Sequence, residues 1–315
     1  MSKTTTKNGN LHKAKTAKND EFYTMLADIE RECRHYREFF RGKTVYCNCD
    51  DARESNFFRY FSLNFEFLGL KKLICTGYKK GGRGVCLVYE GDKNGNHVVD
   101  DNEIAVTELE GNGDFRSEEC VRLLDEADVV VTNPPFSLFR EYIAQLVEHG
   151  KKFLIVGPKN AITYKEIFPL IKDNKMWLGY QFSGGNAFFR VVNPTDYVKG
   201  VFDENTGLVK FRNCGWFTNI HINRLEEQID LYRRYSPLDY PKYDNYDAIE
   251  VSKVANIPMD YDGVMGVPIT FLDRYCPKQF EIVGLDRYVK DNPRYGHRFT
   301  IDSKEIYARI LIHKK

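Results

Sequence analysis

The 315-residue sequence predicts an α/β fold, a mostly parallel sheet covered by helices on both faces. Three observations lead there. Short, continuously apolar runs occur at 44–47, 72–76, 128–132 and 152–157. Such runs lack the polar alternation of a half-exposed strand, so they suit strands buried on both sides. Helix-type segments at 55–68, 117–126 and 137–149 fall between these runs and can supply the crossovers that parallel strands require.

The elements follow in order. Residues 1–19 carry Lys3, Lys7, Lys13, Lys15 and Lys18 and no acid, which reads as a basic arm or as a tail that is merely well solvated. Leu26, Ile29, Tyr36, Phe39 and Phe40 among charged residues predict a helix over 20–40. The strand at 44–47 ends in the polar turn Asn48-Cys49-Asp50-Asp51. Gly69 stops the helix that begins near Ser55. Residues 79–112 are rich in Gly, Asn and Asp around two short strand-like runs, 84–90 and 103–109, and read as a hairpin insertion. The last two sheet strands are expected within 176–220. Beyond 220 helix signals become scarce, and the tyrosine-rich run 232–248 contains Pro237 and Pro241. The expected division is therefore an arm (1–19), a large α/β domain (20–220) and an irregular C-terminal region (221–315). Ligands of such sheets bind at the carboxyl ends of the strands, which directs attention to the ends of 45–47 and 128–132.

Net charge is +1, so no global basic signal marks a polyanion partner. A hydrophobic fraction of 42% and a charged fraction of 29% fit a soluble globular protein. The N-terminus is polar and no apolar run approaches the ~20 residues of a membrane span, so a cytoplasmic protein is expected. The eight cysteines form no Cys-x-x-Cys pair, and several sit in apolar runs, as expected for reduced, packed thiols. Cys47-x-Cys49 has no second pair and few histidines near it, so no metal is expected.

The most informative segment is Asn133-Pro134-Pro135-Phe136, directly after the strand at 128–132. Neither proline can continue a strand, because each lacks an N–H and fixes φ near −65°. The result is a stiff turn with outward carbonyls, a side-chain acceptor on Asn133 and an aromatic face on Phe136. These parts suit a planar amine such as adenine N6. The Asn133 Oδ1 and the Pro134 carbonyl can accept its two hydrogens, and Phe136 can stack on the ring. Two acceptors draw the nitrogen toward sp³ and localise its lone pair, so that catalysis is positioning and electrostatics. Taken alone, the same four residues also make an ordinary rigid turn.

Asn133-Pro134-Pro135-Phe136 resembles the (Asp/Asn/Ser)-Pro-Pro-aromatic motif of amino-methyltransferases. Asp20-Glu21-Phe22-Tyr23-Thr24 resembles their N-terminal cofactor motif, and Gly113-Asp114-Phe115 the motif whose acid meets the cofactor adenine. Longer strings resemble the EcoRI methylase family: Leu11-His12-Lys13-Ala14-Lys15, 45–51 with Ser55-Asn56-Phe57-Phe58, Ala161-Ile162-Thr163-Tyr164-Lys165, Trp216-Phe217-Thr218-Asn219, and 262–268. The resemblance implies a Rossmann-like methyltransferase fold with a C-terminal target-recognition region. It also implies S-adenosyl-L-methionine as cofactor and methylation of N6 of an adenine flipped out of double-stranded DNA. Carried over by position, Asn133, Pro134, Pro135 and Phe136 would be catalytic. Phe22, Tyr23, Thr24, Cys47, Asn48, Asp50, Asp51, Asp114 and Phe115 would hold the cofactor. The loop after 45–47 departs from the usual Gly-rich motif, and Thr76-Gly77-Tyr78 lacks the usual ribose-binding acid.

DNA contacts are expected from Lys13, Lys15, Ser183, Gly184, Asn186, Arg190 and Arg212, with Lys210 on a neighbouring run; solvated surface charge and a plain hairpin turn at 183–186 are the competing readings. Tyr232 to Tyr246 read either as stacking residues or as a wrap over a core. Asp92, Asn94, Asn96, Asp100 and Glu103 follow a calcium-loop spacing, but His97 stands where the sharp-turn Gly belongs, so a polar hairpin loop is expected. A monomer is expected. The alternatives to a DNA methyltransferase are a protein-glutamine methyltransferase and a catalytically silent DNA-binding protein.

Overall fold

The computed structural model describes residues 22–48, 51–182, 187–191, 202–203, 206–211, 213–289 and 296–315. The chain divides into two compact units, Met1–Lys159 with Gly179–Ile220, and Asn160–Leu178 with His221–Lys315.

In the first unit, β1 (Phe22–Thr24), β2 (Thr44–Cys47), β3 (Lys72–Gly77), β4 (Val85–Tyr89), β5 (Ile104–Glu108), β6 (Val129–Thr132) and β7 (Lys152–Pro158) precede a further strand, Cys214–Thr218. The main sheet runs β5-β4-β3-β2-β6-β7 and then Cys214–Thr218. Pairings β3-β2, β2-β6 and β6-β7 are parallel. Pairings β3-β4, β4-β5 and β7 with Cys214–Thr218 are antiparallel. The sheet is thus mixed rather than mostly parallel. The cause is the predicted hairpin, which extends the sheet beyond β3 instead of standing apart from it.

Central strands β2 and β6 are buried throughout, as their unbroken apolar runs require. Asp128 fixes their starting register: its carboxylate accepts from Thr44 N at 2.8 Å and its own N–H donates to Thr44 O at 3.0 Å. Ser55 caps helix Asn56–Leu63, and Ser117 caps helix Glu118–Glu126. Gly69 takes a left-handed φ of 62°, a conformation open to glycine at little cost, and ends the short helix Phe65–Leu68.

The expected helix over 20–40 is corrected at its start. Residues Phe22–Thr24 are a strand, and the helix begins at Leu26. That strand pairs with Ala187–Val191 in a separate small sheet of order β1, Ala187–Val191, Leu208–Phe211, Phe202–Asp203. Three residues carry too little pattern to be seen as a strand when their partner lies some 165 positions away. Glu32, on helix Leu26–Cys33, is fully buried. Its carboxylate accepts from Tyr36 OH (2.9 Å), Tyr180 N (2.8 Å) and Gln181 N (2.7 Å), three bonds that offset its desolvation.

The second unit holds a five-stranded sheet ordered Lys242–Tyr243, Tyr246–Glu250, Met265–Pro268, Arg309–Lys314, Phe280–Leu285. Tyr243 stacks on Phe299 with ring centres 4.5 Å apart. Its hydroxyl donates to Glu250 at 2.6 Å. Arg309 grips the same carboxylate through Nε (2.9 and 3.0 Å) and Nη2 (2.5 Å). Gly266 makes room for this network, since a Cβ there would collide with the Tyr243 hydroxyl. The seven cysteines among the described residues are free and buried. No helix among them is long and apolar enough to cross a membrane.

The buried charges of the second unit bear on stability. Removing either partner of the Glu250–Arg309 pair leaves the other charge uncompensated, so Glu250→Ala or Arg309→Ala should lower unfolding free energy by about 3–5 kcal/mol in urea denaturation. Asp286 is fully buried, and burial pushes its carboxyl up to about 6 against backbone hydrogen bonds that oppose the shift. A carboxyl raised in the folded state binds more protons folded than unfolded, so its contribution worsens as pH rises toward 6. Asp286→Asn should therefore gain stability relative to the parent as pH rises from about 4 to about 7, read by thermal melts across that range.

Candidate active site

β6 ends at Thr132, and the two prolines end its ladder. The chain turns at 133–135, enters a 3-10 turn at Phe136–Leu138 and continues as helix Phe139–Glu148. Asn133 is 5% exposed and Phe136 8% exposed, so the tetrapeptide is tucked into the protein rather than displayed as a surface loop. Phe139 at the start of the helix is fully buried and tilted on Phe217 at 5.2 Å. Gly157 of β7 leaves space for its ring, which a Cβ would occupy.

The turn after β2 is fastened to the same place. Asn48 is buried. Its backbone carbonyl accepts from Thr132 Oγ1, and its side-chain carbonyl accepts from the hydroxyl of fully buried Tyr142. The carboxyl ends of β2 and β6 are thereby joined to each other and to the helix that follows the tetrapeptide. The Cys47 side chain is also buried. Asp51 accepts from Arg53 N at 2.9 Å and otherwise faces outward.

The Asp114-Phe115 segment approaches through a knot of glycines. Gly113 has φ 81°, and a Cβ on it would overlap the Gly77 carbonyl at the end of β3; a Cβ on Gly84 would lie 2.7 Å from that carbonyl. Lys79 N donates to Asn112 O at 2.8 Å and Gly84 N to Gly111 O at 2.9 Å, closing the knot. The Phe115 ring packs edge-on against Tyr142 at 5.0 Å, and Gln145 Nε2 donates to Phe115 O at 3.1 Å. The Asp114 carboxylate takes Arg116 Nε at 2.9 Å and Nη2 at 2.7 Å, and Arg116 also donates to Glu141 at 3.2 Å. The Arg116 hydrogen bonds hold the Asp114 carboxyl below its ordinary value, so it stays an acceptor at neutral pH.

β1 joins this group through one bond: Asn56 Nδ2 donates to Thr24 O at 2.8 Å. Thr24 is 3% exposed, and its hydroxyl oxygen is buried with no hydrogen-bond partner among the described residues. An orphaned hydroxyl costs free energy unless something else bonds it, which marks this position as fit for a ligand. The strand register sets Tyr23 opposite Arg190.

Cys47, Asn48, Asp114, Phe115 and 133–136 are thus linked by direct contacts or a single intervening element, and Thr24 is tied to helix Asn56–Leu63. Lys13, Lys15, Asp50, Ser183, Gly184, Asn186 and Arg212 lie outside the described residues. Asp92 folds its carboxylate onto Gly95 N and His97 N, and His97 takes a left-handed φ of 61°. Among the described residues no cluster of His, Cys, Asp or Glu is placed to hold a metal ion.

Sequence reasoning passed over Thr132, Tyr142 and Asn56, which do the fastening. Tyr142 sits in the apolar stripe Phe139, Tyr142, Ile143, Leu146, where it reads as core. Its hydroxyl was the available signal, since a buried Tyr OH requires an acceptor. Gly113→Ala should expose the knot's role. The left-handed φ alone costs about 1–2 kcal/mol for a residue with a Cβ, and the overlap with Gly77 adds to it. A drop in melting temperature together with weakened cofactor binding is expected, by scanning calorimetry and titration.

A family described as adenine-specific methyltransferase EcoRI matches residues 10–315. The chain is 48% identical over 321 residues to Type II methyltransferase M.EcoRI of Escherichia coli, covering 97% of this chain and 96% of that protein. It is 39% identical to Type II methyltransferase M.MgeORF184P of Mycoplasma genitalium over 326 residues, 96% and 98% of the two chains. It is 37% identical to Type II methyltransferase M.MpnI of Mycoplasma pneumoniae over 324 residues, again 96% and 98%. No solved structure matches. A match over nearly the whole chain, with the tetrapeptide of 133–136 buried at the end of β6, makes this protein a member of the EcoRI adenine-specific methyltransferase family.

Proposed function

We propose that the protein transfers a methyl group from S-adenosylmethionine to N6 of an adenine flipped out of double-stranded DNA. The observation that carries this reading is the placement of Asn133, Pro134, Pro135 and Phe136 at the carboxyl end of β6, beside the end of β2. In an α/β sheet that is where a ligand is expected. Family membership supports adenine as the base and weighs against both a protein amide substrate and a catalytically silent DNA binder.

Residues 20–220 are read as the Rossmann-like catalytic domain and 221–315 as the target-recognition region. The residues fit the cofactor. Thr24 offers a buried hydroxyl that lacks a partner among the described residues. Asp114 offers an ionised acceptor for an adenine amine, and Phe115 an aromatic edge beside it. Phe22 and Tyr23 precede Thr24 in sequence, Cys47 ends β2, and Asn48, Asp50 and Asp51 follow it in sequence. When bound, the cofactor supplies a methyl group on a sulfonium, an electrophile that needs no further activation.

The chain's own residues then do the positioning. The Asn133 Oδ1 and the Pro134 carbonyl accept the two N6 hydrogens and turn the nitrogen lone pair out of the ring. Phe136 lies against the base. The Pro134-Pro135 turn holds these acceptors at fixed separation, so little reorganisation is left for the reaction itself. The N6 proton is released after transfer, and no buried general base is required to remove it beforehand.

Asn133→Ala removes one of the two acceptors. It should leave duplex binding within a few-fold and lower the single-turnover methylation rate by about a hundredfold or more, in line with the removal of one preorganised polar group. Single-turnover transfer of labelled methyl to DNA measures this, and turnover near the parent's would remove Asn133 from the assigned role.

A further inference from the structure

A cleft of about 570 Å³ opens in the second unit, lined by none of the residues assigned to the site above. Its walls are residues 232–241 and 250–256 of that unit, including Tyr232, Arg233, Arg234, Tyr240, Ser252 and Asn256. We propose that this cleft is a DNA-contacting site of the target-recognition region, with Arg233 and Arg234 on backbone phosphates and Tyr232 stacked on an adjacent base or sugar. The proposal rests on the reading of the protein as a DNA methyltransferase and gives residues to a region that otherwise has none.

Four observations carry it. The first is positive charge on the cleft wall. Arg233 makes no side-chain hydrogen bond or ion pair among the described residues, and Arg234 reaches Asp260 only at 3.9 Å, with its side chain 77% exposed. Two adjacent guanidiniums on a cleft wall match the demands of a phosphodiester better than those of a neutral ligand. The acids nearby are Asp260, beside Arg234, and those of the cleft wall itself. Glu250 is engaged by Arg309 and Tyr243, which leaves Asp239 as the cleft carboxylate. Carboxylates beside arginines suit a nucleotide, whose base edge can donate to them, rather than a bare anion.

The second is exposed ring and aliphatic surface at the same place. Tyr232, on the cleft wall, is 66% exposed, and Leu238, next in sequence to the lining residue Asp239, is 95% exposed. Leaving a Leu side chain in water forgoes much of the free energy of its burial, so its position on the turn 237–239 is unexplained by the unit's own core. Tyr beside Arg is the pairing that stacks on bases and meets phosphates.

The third is that the frame behind these side chains is rigid. Arg233 bridges Pro258 as a parallel β-bridge, and Met259 N donates to Arg233 O at 2.9 Å. Tyr235 N donates to Asp260 at 2.7 Å, and Tyr240 OH donates to Asn256 O at 2.8 Å, tying one wall to the other. A site held by its own backbone loses less entropy when it binds. The fourth is composition: the cleft edge concentrates Tyr and Arg, whereas the core of the same unit uses Tyr243, Ala248, Phe299 and Leu311.

The test uses the full-length protein and a fluorescein-labelled duplex carrying the site that the parent methylates. R233A/R234A should weaken duplex binding about tenfold or more and reduce the slope of log Kd against log salt by about 1 to 2, roughly one for each phosphate no longer neutralised. Tyr232→Ala should weaken binding roughly 5- to 150-fold while keeping the parent's salt slope, because stacking releases no counterions. Both variants should bind S-adenosylhomocysteine like the parent and retain kcat at saturating DNA, with the defect confined to KM for DNA. A general loss of structure would move kcat and cofactor affinity together. Should R233A/R234A melt early, R233Q/R234Q keeps the aliphatic stems and gives the same salt-slope reading. Parent-like Kd and slope in the arginine variants, with methylation by the parent intact, would overturn the cleft assignment alone. Failure of the parent to methylate any DNA would overturn the functional reading on which it rests.

Discussion

The active-site geometry hangs on one helix, Phe139–Glu148. Its first residue, Phe139, is locked between β7 and the neighbouring strand by Gly157 and Phe217. Its second buried position, Tyr142, bonds the turn after β2 and packs on Phe115. Its exposed side reaches the Asp114 loop through Glu141 and Gln145. The tetrapeptide at 133–136 leads through a short 3-10 turn into this helix, so residues 133–136, Asn48 and the Asp114 loop share one reference. Buried polar bonds of this kind contribute only about 1 kcal/mol each net. Their larger effect is geometric, since removing one strands a partner in a water-free interior.

The hydrogen-bonded chain from Thr132 to Asn48 to Tyr142 fastens the residue that follows β2. A Gly-rich loop approaches a ligand by lacking side chains. Here the Asn48 side chain is instead used internally, as the acceptor of the Tyr142 hydroxyl. The glycines that allow close backbone approach have moved to Gly77, Gly84 and Gly113 at the end of β3, where they let the Asp114 loop settle onto the sheet. The Thr24 hydroxyl has no hydrogen-bond partner among the described residues, and the Arg116 hydrogen bonds hold the Asp114 carboxyl below its ordinary value.

The two units compensate their buried acids differently. In the first, Glu32 is stabilised by hydrogen bonds from backbone and Tyr36, which tie the 180–181 segment to the helix following β1. In the second, Glu250 is neutralised by a full charge on Arg309. That difference leaves the arginines at 233 and 234 as cations outside the core, while the unit's own buried charge is settled within the sheet.

The sequence by itself determined the identity of the central strands. The runs at 44–47, 72–76, 128–132 and 152–157 became β2, β3, β6 and β7, because continuous apolar runs have nowhere to go but a sheet covered on both faces. It also marked 133–136, since two prolines after a buried strand force a turn whatever surrounds them. The tertiary structure decided what short or non-local signals cannot encode. β1 exists only because Ala187–Val191 lies beside it, and the hairpin at 84–109 became part of the sheet because β3 offered an open edge. Asn56, Thr132 and Tyr142 became site residues only when partners 32, 84 and 94 positions away came within hydrogen-bond reach. Hydrophobic periodicity is written locally, whereas a buried hydroxyl or amide finds its acceptor only after the chain has closed on itself.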